Sequence, residues 1–325
     1  TIRQVHGYAK QAAAYGYNKT YGLNAMLAVI STPLAAPVIV ASSLRKGNTA
    51  SGKGSAAMLT RAVTTARKAG VTARLLGRAD SAFYRHDLVA AMVKAGMWFS
   101  VTVRLNKAVT GAITRIPEEA WTPIQYPNAV WENDPSLPEG GYWVSDAEVA
   151  ETCFVAFSSK KKAHRIRCRL VVRRVRRLQP KASDGTVQGE LFAAYRHHGF
   201  ITNSTLSTVA ADQHHRGHAI IEQVIAELKD GPLAHLPSGK YTANAAWLAY
   251  AVTAFNLSRA LGVLAGKRHA RARAATIRDE LIQLPGRIAN HARNQIVHLP
   301  TDWPWEHAWQ QMFDHTTRPP PALAA

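Results

Sequence analysis

The feature that most constrains the fold is a switch between two hydrophobic periods that recurs from residue 25 to residue 105. Ala25–Ile30 and Pro37–Ala41 are short apolar runs flanking a Ser-Thr-Pro turn, which reads as a hairpin of buried strands. From Ser55 to Lys68 apolar residues recur at helical spacing (Met58, Leu59, Ala62, Val63, Ala66), and Gly70 stops the helix. Arg74–Ala79 reads as a strand ending at Asp80, Asp87–Lys94 as a helix closed by Gly96, and Trp98–Leu105 as a β-branched strand. The order strand, strand, helix, strand, helix, strand predicts an α/β fold.

The pattern then changes. Leu44–Gly54 is a basic, Gly-rich loop, and Pro117–Gly141 has no period. Val149–Phe157, Arg165–Val175 and Leu191–Thr202 read as strands, so residues 107–207 are expected to be an insertion made mostly of β structure. Helical periodicity resumes at Thr208 and runs to Gly231-Pro232, and Tyr241–Leu264 is a second long helix. The predicted divisions are 1–106, 107–207, 208–265 and a basic C-terminal tail, 266–325. The most apolar stretches are broken by Pro33 and Pro37 and by Asn244, Asn256 and Arg259, so no membrane span is expected.

Lys and Arg number 40 against 21 Asp and Glu, a net charge of +19. That excess points to a polyanionic partner, most simply nucleic acid. Cys153 and Cys168 are the two cysteines, which excludes a disulfide framework or a Cys-rich zinc module and fits a reducing cytoplasm. The chain starts at Thr1 without a basic-then-apolar leader, which reads as a processed or truncated start.

Several constellations could carry chemistry. Asp80 ends a core strand, where open α/β sheets place ligands; the plainer reading is a helix cap. Glu222 lies four residues after His218 and seven before Lys229. On one continuous helix these three share a face, and a carboxylate flanked by cations could hold a metal beside phosphate. A solvated charged face is the alternative. Gly47–Gly54 has the Gly and Lys53 spacing of a phosphate-binding loop, but Gly54 stands where Ser or Thr would hold magnesium. A basic loop touching a DNA backbone is the better expectation for Lys53. His214, His218 and Glu222 at helical spacing could hold zinc, although no Glu directly follows the first His. Lys160–Lys162, Arg173–Arg177 (with Arg174 at its centre) and Lys267–Arg273, with Trp121, Trp131 and Trp143, combine charge and stacking as DNA binders do.

Taken together, Arg78-Ala79-Asp80-Ser81-Ala82-Phe83-Tyr84, the run His215–Lys229, Gly231-Pro232-Leu233 and Asn244-Ala245-Ala246-Trp247 resemble the DDE transposases of bacterial insertion sequences. The likeness is closest to the group catalogued as the thirteen-eighty insertion-sequence family and covers nearly the whole chain. It implies an RNase-H-like core with a β-rich insertion before the last catalytic helix and a helical C-terminal region. By the same resemblance Asp80 matches the second acidic residue, Glu222 the third and Lys229 the Lys seven positions beyond. His215 and His218 stand where the wider superfamily has Tyr and Arg, with Arg216 beside them as a substitute phosphate contact. The first acidic residue is expected upstream of Thr1, since no Asp or Glu occurs before Asp80. The implied reaction is DNA cleavage and strand transfer with two Mg2+ (or Mn2+) ions at Asp80 and Glu222, impaired by loss of the first Asp. The implied partners are the element's terminal inverted repeats and target DNA, with a homodimer in the DNA complex, in the bacterial cytoplasm at the nucleoid. The rival reading is a non-catalytic DNA-binding remnant.

Overall fold

The computed structural model describes residues 4–6, 9–125, 131–133, 141–143, 147–176, 195–291 and 293–317. The fold is mixed α/β and divides into two compact units. One comprises residues 1–53, 61–70 and 219–325; the other comprises 54–60 and 71–218.

In the first unit the expected hairpin forms from Asn24–Ile30 and Val38–Arg45, antiparallel, with a bulge between Ala28 and Val29. Its second strand runs to Arg45, into what the sequence suggests is loop. Tyr241–Leu264 is helical over the expected span. Its Asn256 Oδ1 accepts from the Ile39 N–H at 2.9 Å and its Nδ2 donates to the Ile39 carbonyl at 2.8 Å. A polar residue that interrupts an apolar run is thus spent on completing a strand edge. Leu23, Ile39, Val224, Leu228, Leu248 and Phe255 are the centre of this unit's core. Two of the recognised segments are structural fasteners. Asn244, fully buried, exchanges both amide groups with the Ser238 backbone, and Trp247 Nε1 donates to the Pro232 carbonyl at 2.9 Å.

Residues 266–317 are more than a basic tail. Short helices and the Glu306–Thr317 helix form a second apolar cluster of Ala265, Ile277, Leu281 and Met312, and Arg287–His291 pairs antiparallel with Asn294–His298. Glu227 links these parts. It accepts from Arg259 Nη2 at 2.6 Å, the Ala274 N–H at 2.8 Å and Gln223 Nε2 at 3.0 Å, while Arg259 Nη1 donates to the Ala272 carbonyl at 2.5 Å.

The second unit is built on one six-stranded sheet. Its order is Leu76–Ala79, Trp98–Thr102, Tyr195–Thr202, Ile166–Arg176, Ala147–Ala156 and Thr122–Ile124. The first pair is parallel and the remainder antiparallel. Strands from residues 107–207 therefore join the same sheet as the earlier pair. Residues 191–194 and Arg177 lie outside the described residues. The region also contains a helix, Lys107–Ile113, begun by Asn106 Oδ1 accepting from the Ala108 and Val109 N–H groups. Gly77 lets the edge strand approach the helix His86–Lys94 closely: a Cβ there would come within 2.7 Å of Met92 Cε, which would have to shift.

One expectation is corrected. Thr208–Asp230 is not one helix. Thr208–Arg216 and Ile220–Asp230 are separated by a 3-10 turn, Gly217–Ala219. Apolar spacing alone hides this, because the two helices carry similar periodicity on either side of Gly217.

Arg259→Leu, leaving Glu227 buried without its cation, is expected to lower stability by about 3–5 kcal/mol. The double variant Glu227→Gln/Arg259→Leu should recover much of that loss. Urea denaturation midpoints check both.

Candidate functional site

Asp80 directly follows the edge strand Leu76–Ala79. Its Oδ1 accepts from the Ala82 N–H at 2.8 Å and so caps the Ser81–Phe83 3-10 turn. Asx capping of this kind satisfies a backbone donor that the turn leaves open. The cap uses one oxygen, and the residue is exposed. The helix-cap reading therefore holds, and the cap engages one of the two carboxylate oxygens.

Arg78, two residues earlier, is the joint between two of the recognised segments. Its Nη1 donates to the His214 carbonyl at 2.9 Å, at the end of the helix Thr208–Arg216. That carbonyl lies in the last helical turn, where intrahelical donors run out. A Cβ at Gly217 would overlap the Arg78 guanidinium, so glycine is the residue that fits. Burial pulls the Arg78 pKa below the usual arginine value.

The same helix carries a buried polar cluster. His215 lies over the sheet with Nδ1 at 2.7 Å from Ser100 Oγ and Nε2 at 3.0 Å from Thr102 Oγ1. Its ring stacks on Phe200, 4.0 Å between centroids and 8° between planes. Burial first, then the positive charges of His218, Arg173 and Arg78, push its pKa down to about 3. His215 is thus neutral, with both ring nitrogens committed inside the unit. His218 Nδ1 donates to the His215 carbonyl at 2.6 Å. Arg216 Nε donates to Asp212 Oδ2 at 2.9 Å, and Arg173 Nη1 lies 3.3 Å from Asp212 Oδ1, so one buried carboxylate is shared by two guanidiniums.

Arg174 is equally engaged. Its guanidinium pairs with Glu118 and, at 2.6 Å, with Glu148, and lies between the Trp121 and Tyr195 rings, 4.3 and 4.4 Å from their centroids. The Glu118 hydrogen bond raises its pKa above the ordinary arginine value. Its role in this structure is to fasten the sheet, and Trp121 is buried with it. Trp131 and Trp143 are register partners in a two-stranded antiparallel pair.

In the first unit Glu222 is exposed in the first turn of Ile220–Asp230, and Lys229 is half-buried in the last. An acid at a helix start and a base at its end both suit the helix dipole. They share a face about two turns apart, roughly 10 Å along the axis. The break at Gly217–Ala219 removes the helical spacing that a His214–His218–Glu222 zinc site needs. Among the described residues no group of three His, Cys, Asp or Glu side chains could hold a metal ion.

Lys53 sits in the exposed loop after Arg45. Arg45 organises that loop: Nη1 donates to the carbonyls of Ala50, Ser51 and Lys53 at 3.0–3.3 Å, and Nη2 to Asn24 Oδ1 at 2.6 Å. A phosphate-binding loop needs converging N–H groups. Here carbonyls converge on a guanidinium, the opposite polarity, so the loop does not have the geometry of a phosphate-binding loop.

The functional roles of Arg78, Gly217 and Asp212 are those the sequence left unread. Arg78 could have been found, since it lies in the recognised segment next to Asp80.

A family model described as Transposase DDE domain group 1 matches residues 1–320. No curated protein matches the chain.

Because His215 is held neutral when folded and titrates near 6.5 when unfolded, acid favours the unfolded chain. Its contribution to stability is complete above pH 6.5 and is lost as pH falls from 6.5 towards 3, at up to about 1.4 kcal/mol per pH unit. His215→Gln should flatten that part of the stability–pH curve relative to the wild-type chain, measured by urea midpoints between neutral pH and pH 4.

Proposed function

The chain belongs to the Transposase DDE domain group 1 family, and from that premise we propose that it is an insertion-sequence transposase that cleaves and joins DNA strands at a site containing Asp80 and Glu222. The observation that carries this reading is that the family match spans both segments bearing these carboxylates. Its more specific form is an RNase-H-like core over 1–106 and 208–265, a β-rich insertion over 107–207 and a C-terminal region from 266, within the thirteen-eighty insertion-sequence family. The strand order at Leu76–Thr102 and the helix carrying Glu222 support that form.

Metal-dependent chemistry fits the donors in kind. Asp80 and Glu222 are exposed carboxylates, and neither forms an ion pair among the described residues. Hard oxygens of this type suit Mg2+ or Mn2+. Two such ions, bound there, would supply a polarised phosphate and an activated water or 3′-hydroxyl. The chain's own part is positional. Asp80 is fixed by its cap to the Ser81–Phe83 turn, Lys229 carries a cation on the face of Glu222, and His218 and Arg216 stand at the end of the Arg78-tied helix. The positive surface steers DNA to this machinery. A homodimer holding two element ends, at the nucleoid of a bacterial cytoplasm, completes the reading.

The rival reading is a transposase remnant that binds DNA without cutting it. The two readings separate on conservative variants. Asp80→Asn keeps the capping oxygen and Glu222→Gln keeps helix and shape. In a Mg2+-dependent nicking assay on DNA carrying the element ends, each is expected to lose activity about a hundredfold or more while DNA affinity stays within about threefold. Wild-type protein without nicking in Mg2+ or Mn2+, and equal DNA affinity in all variants, would establish the remnant instead.

A further inference from the structure

The turn that starts at Asp80 ends against a cationic segment that the proposed chemistry leaves unused. The connector between the long strands Ala147–Ala156 and Ile166–Arg176 reads Phe157-Ser-Ser-Lys-Lys-Lys-Ala-His-Arg165. Every residue from Ser158 to Arg165 is exposed. Among the described residues, no carboxylate pairs with Lys160, Lys161, Lys162 or Arg165. Four other cations of this unit are ion-paired: Arg169 with Glu151, Arg174 with Glu118 and Glu148, and Arg173 and Arg216 with one shared Asp212.

The connector is also held in a defined place. Phe157 has φ +58°, a left-handed conformation that a bulky residue seldom adopts and that persists only when its surroundings enforce it. The enforcing groups are visible. Tyr84 stacks on Phe157 at 4.9 Å and 22°. His86 meets the same ring edge-on at 5.5 Å and meets His164 at 5.6 Å. Within the connector, Lys160 N–H donates to the Phe157 carbonyl at 2.9 Å and Arg165 Nε to the Lys160 carbonyl at 3.1 Å. Tyr84 closes the turn that Asp80 opens, about 8 Å away at the 3-10 rise. Both ends of the cationic segment are therefore fastened to the residues that follow Asp80.

We propose that residues 157–165 form a DNA-backbone clamp, in which Lys160, Lys161, Lys162 and Arg165 hold phosphates flanking the strand presented at Asp80 and the Tyr84–Phe157 stack fixes where they sit. The clamp rests on the transposase reading. Its charges match a duplex, which presents one phosphate per roughly 1.7 Å of axis and gives up counterions to fixed cations.

The test uses the full chain and a fluorescein-labelled duplex, with anisotropy titrations across a salt series. Lys160→Ala/Lys161→Ala/Lys162→Ala is expected to lose affinity about tenfold or more at low salt, and to reduce the log–log salt slope by about 2.7. The set Lys68→Ala/Lys94→Ala/Lys107→Ala removes the same charge from exposed positions elsewhere and should lose less than about threefold. The triple Lys→Arg set should retain affinity, and Phe157→Ala, with every lysine present, should weaken binding severalfold. Equal losses from both alanine sets, or no loss from the first while the wild-type chain binds, overturns the clamp alone. A wild-type chain that binds no duplex overturns the transposase reading, and the clamp with it.

Discussion

Scarcity of negative charge is the constraint on which the rest of this structure depends. With 40 basic and 21 acidic side chains, and none of the acids before Asp80, several partly buried cations are held by groups other than carboxylates. Backbone carbonyls take their place. Arg45 closes a loop on three of them, Arg78 ends a helix on one, Arg169 holds the Ser204 and Leu206 carbonyls, and Lys10 holds those of Leu236 and Ser238. A guanidinium offers five donors in a fixed fork, so one side chain can satisfy several carbonyls that loops and helix ends leave open. Excess positive charge, which would otherwise only repel, thereby organises the turns of both units.

Some carboxylates that pair with arginine are shared among several donors. Asp212 serves Arg173 and Arg216, Glu227 serves Arg259, Gln223 and the Ala274 N–H, and Glu151 serves Arg169 and Thr208. Among the described residues the exposed carboxylates of Asp80 and Glu222, like those of Glu119 and Asp230, form no ion pair. Asp80 and Glu222 are each placed by an ordinary local device, a 3-10 cap in one case and a helix first turn in the other. Structural and chemical uses of these residues are compatible, because capping consumes a single oxygen of Asp80 and Glu222 needs none of its oxygens for the fold.

The sequence was most legible where period and punctuation agree. Ser55–Lys68 and Tyr241–Leu264 match their expected spans, and Gly70 and Gly96 follow their helices with positive φ. Three features escaped because their cause lies off the local chain. The Lys107–Ile113 helix is brief and hidden among strand signals, although Asn106 marks its start. His215 and Arg174 look like free polar groups in a basic sequence, yet Phe200, Ser100 and Thr102 enclose the first, and Glu118, Glu148, Trp121 and Tyr195 enclose the second. Arg259 shows the converse. It stands out as a lone charge in an apolar helix, and only its distant partner Glu227 explains it.

The 3-10 turn at Gly217–Ala219 has a consequence for how such a chain can change. In an uninterrupted helix each inserted or deleted residue turns everything after it by about 100°. The turn works as a phase joint: Thr208–Arg216 keeps its angular setting through Arg78, His215 and Asp212, while the setting of Ile220–Asp230 follows from Val224, Leu228 and Glu227. Each helix thus takes its setting from contacts inside its own unit, and the turn is where the chain passes from one unit to the other.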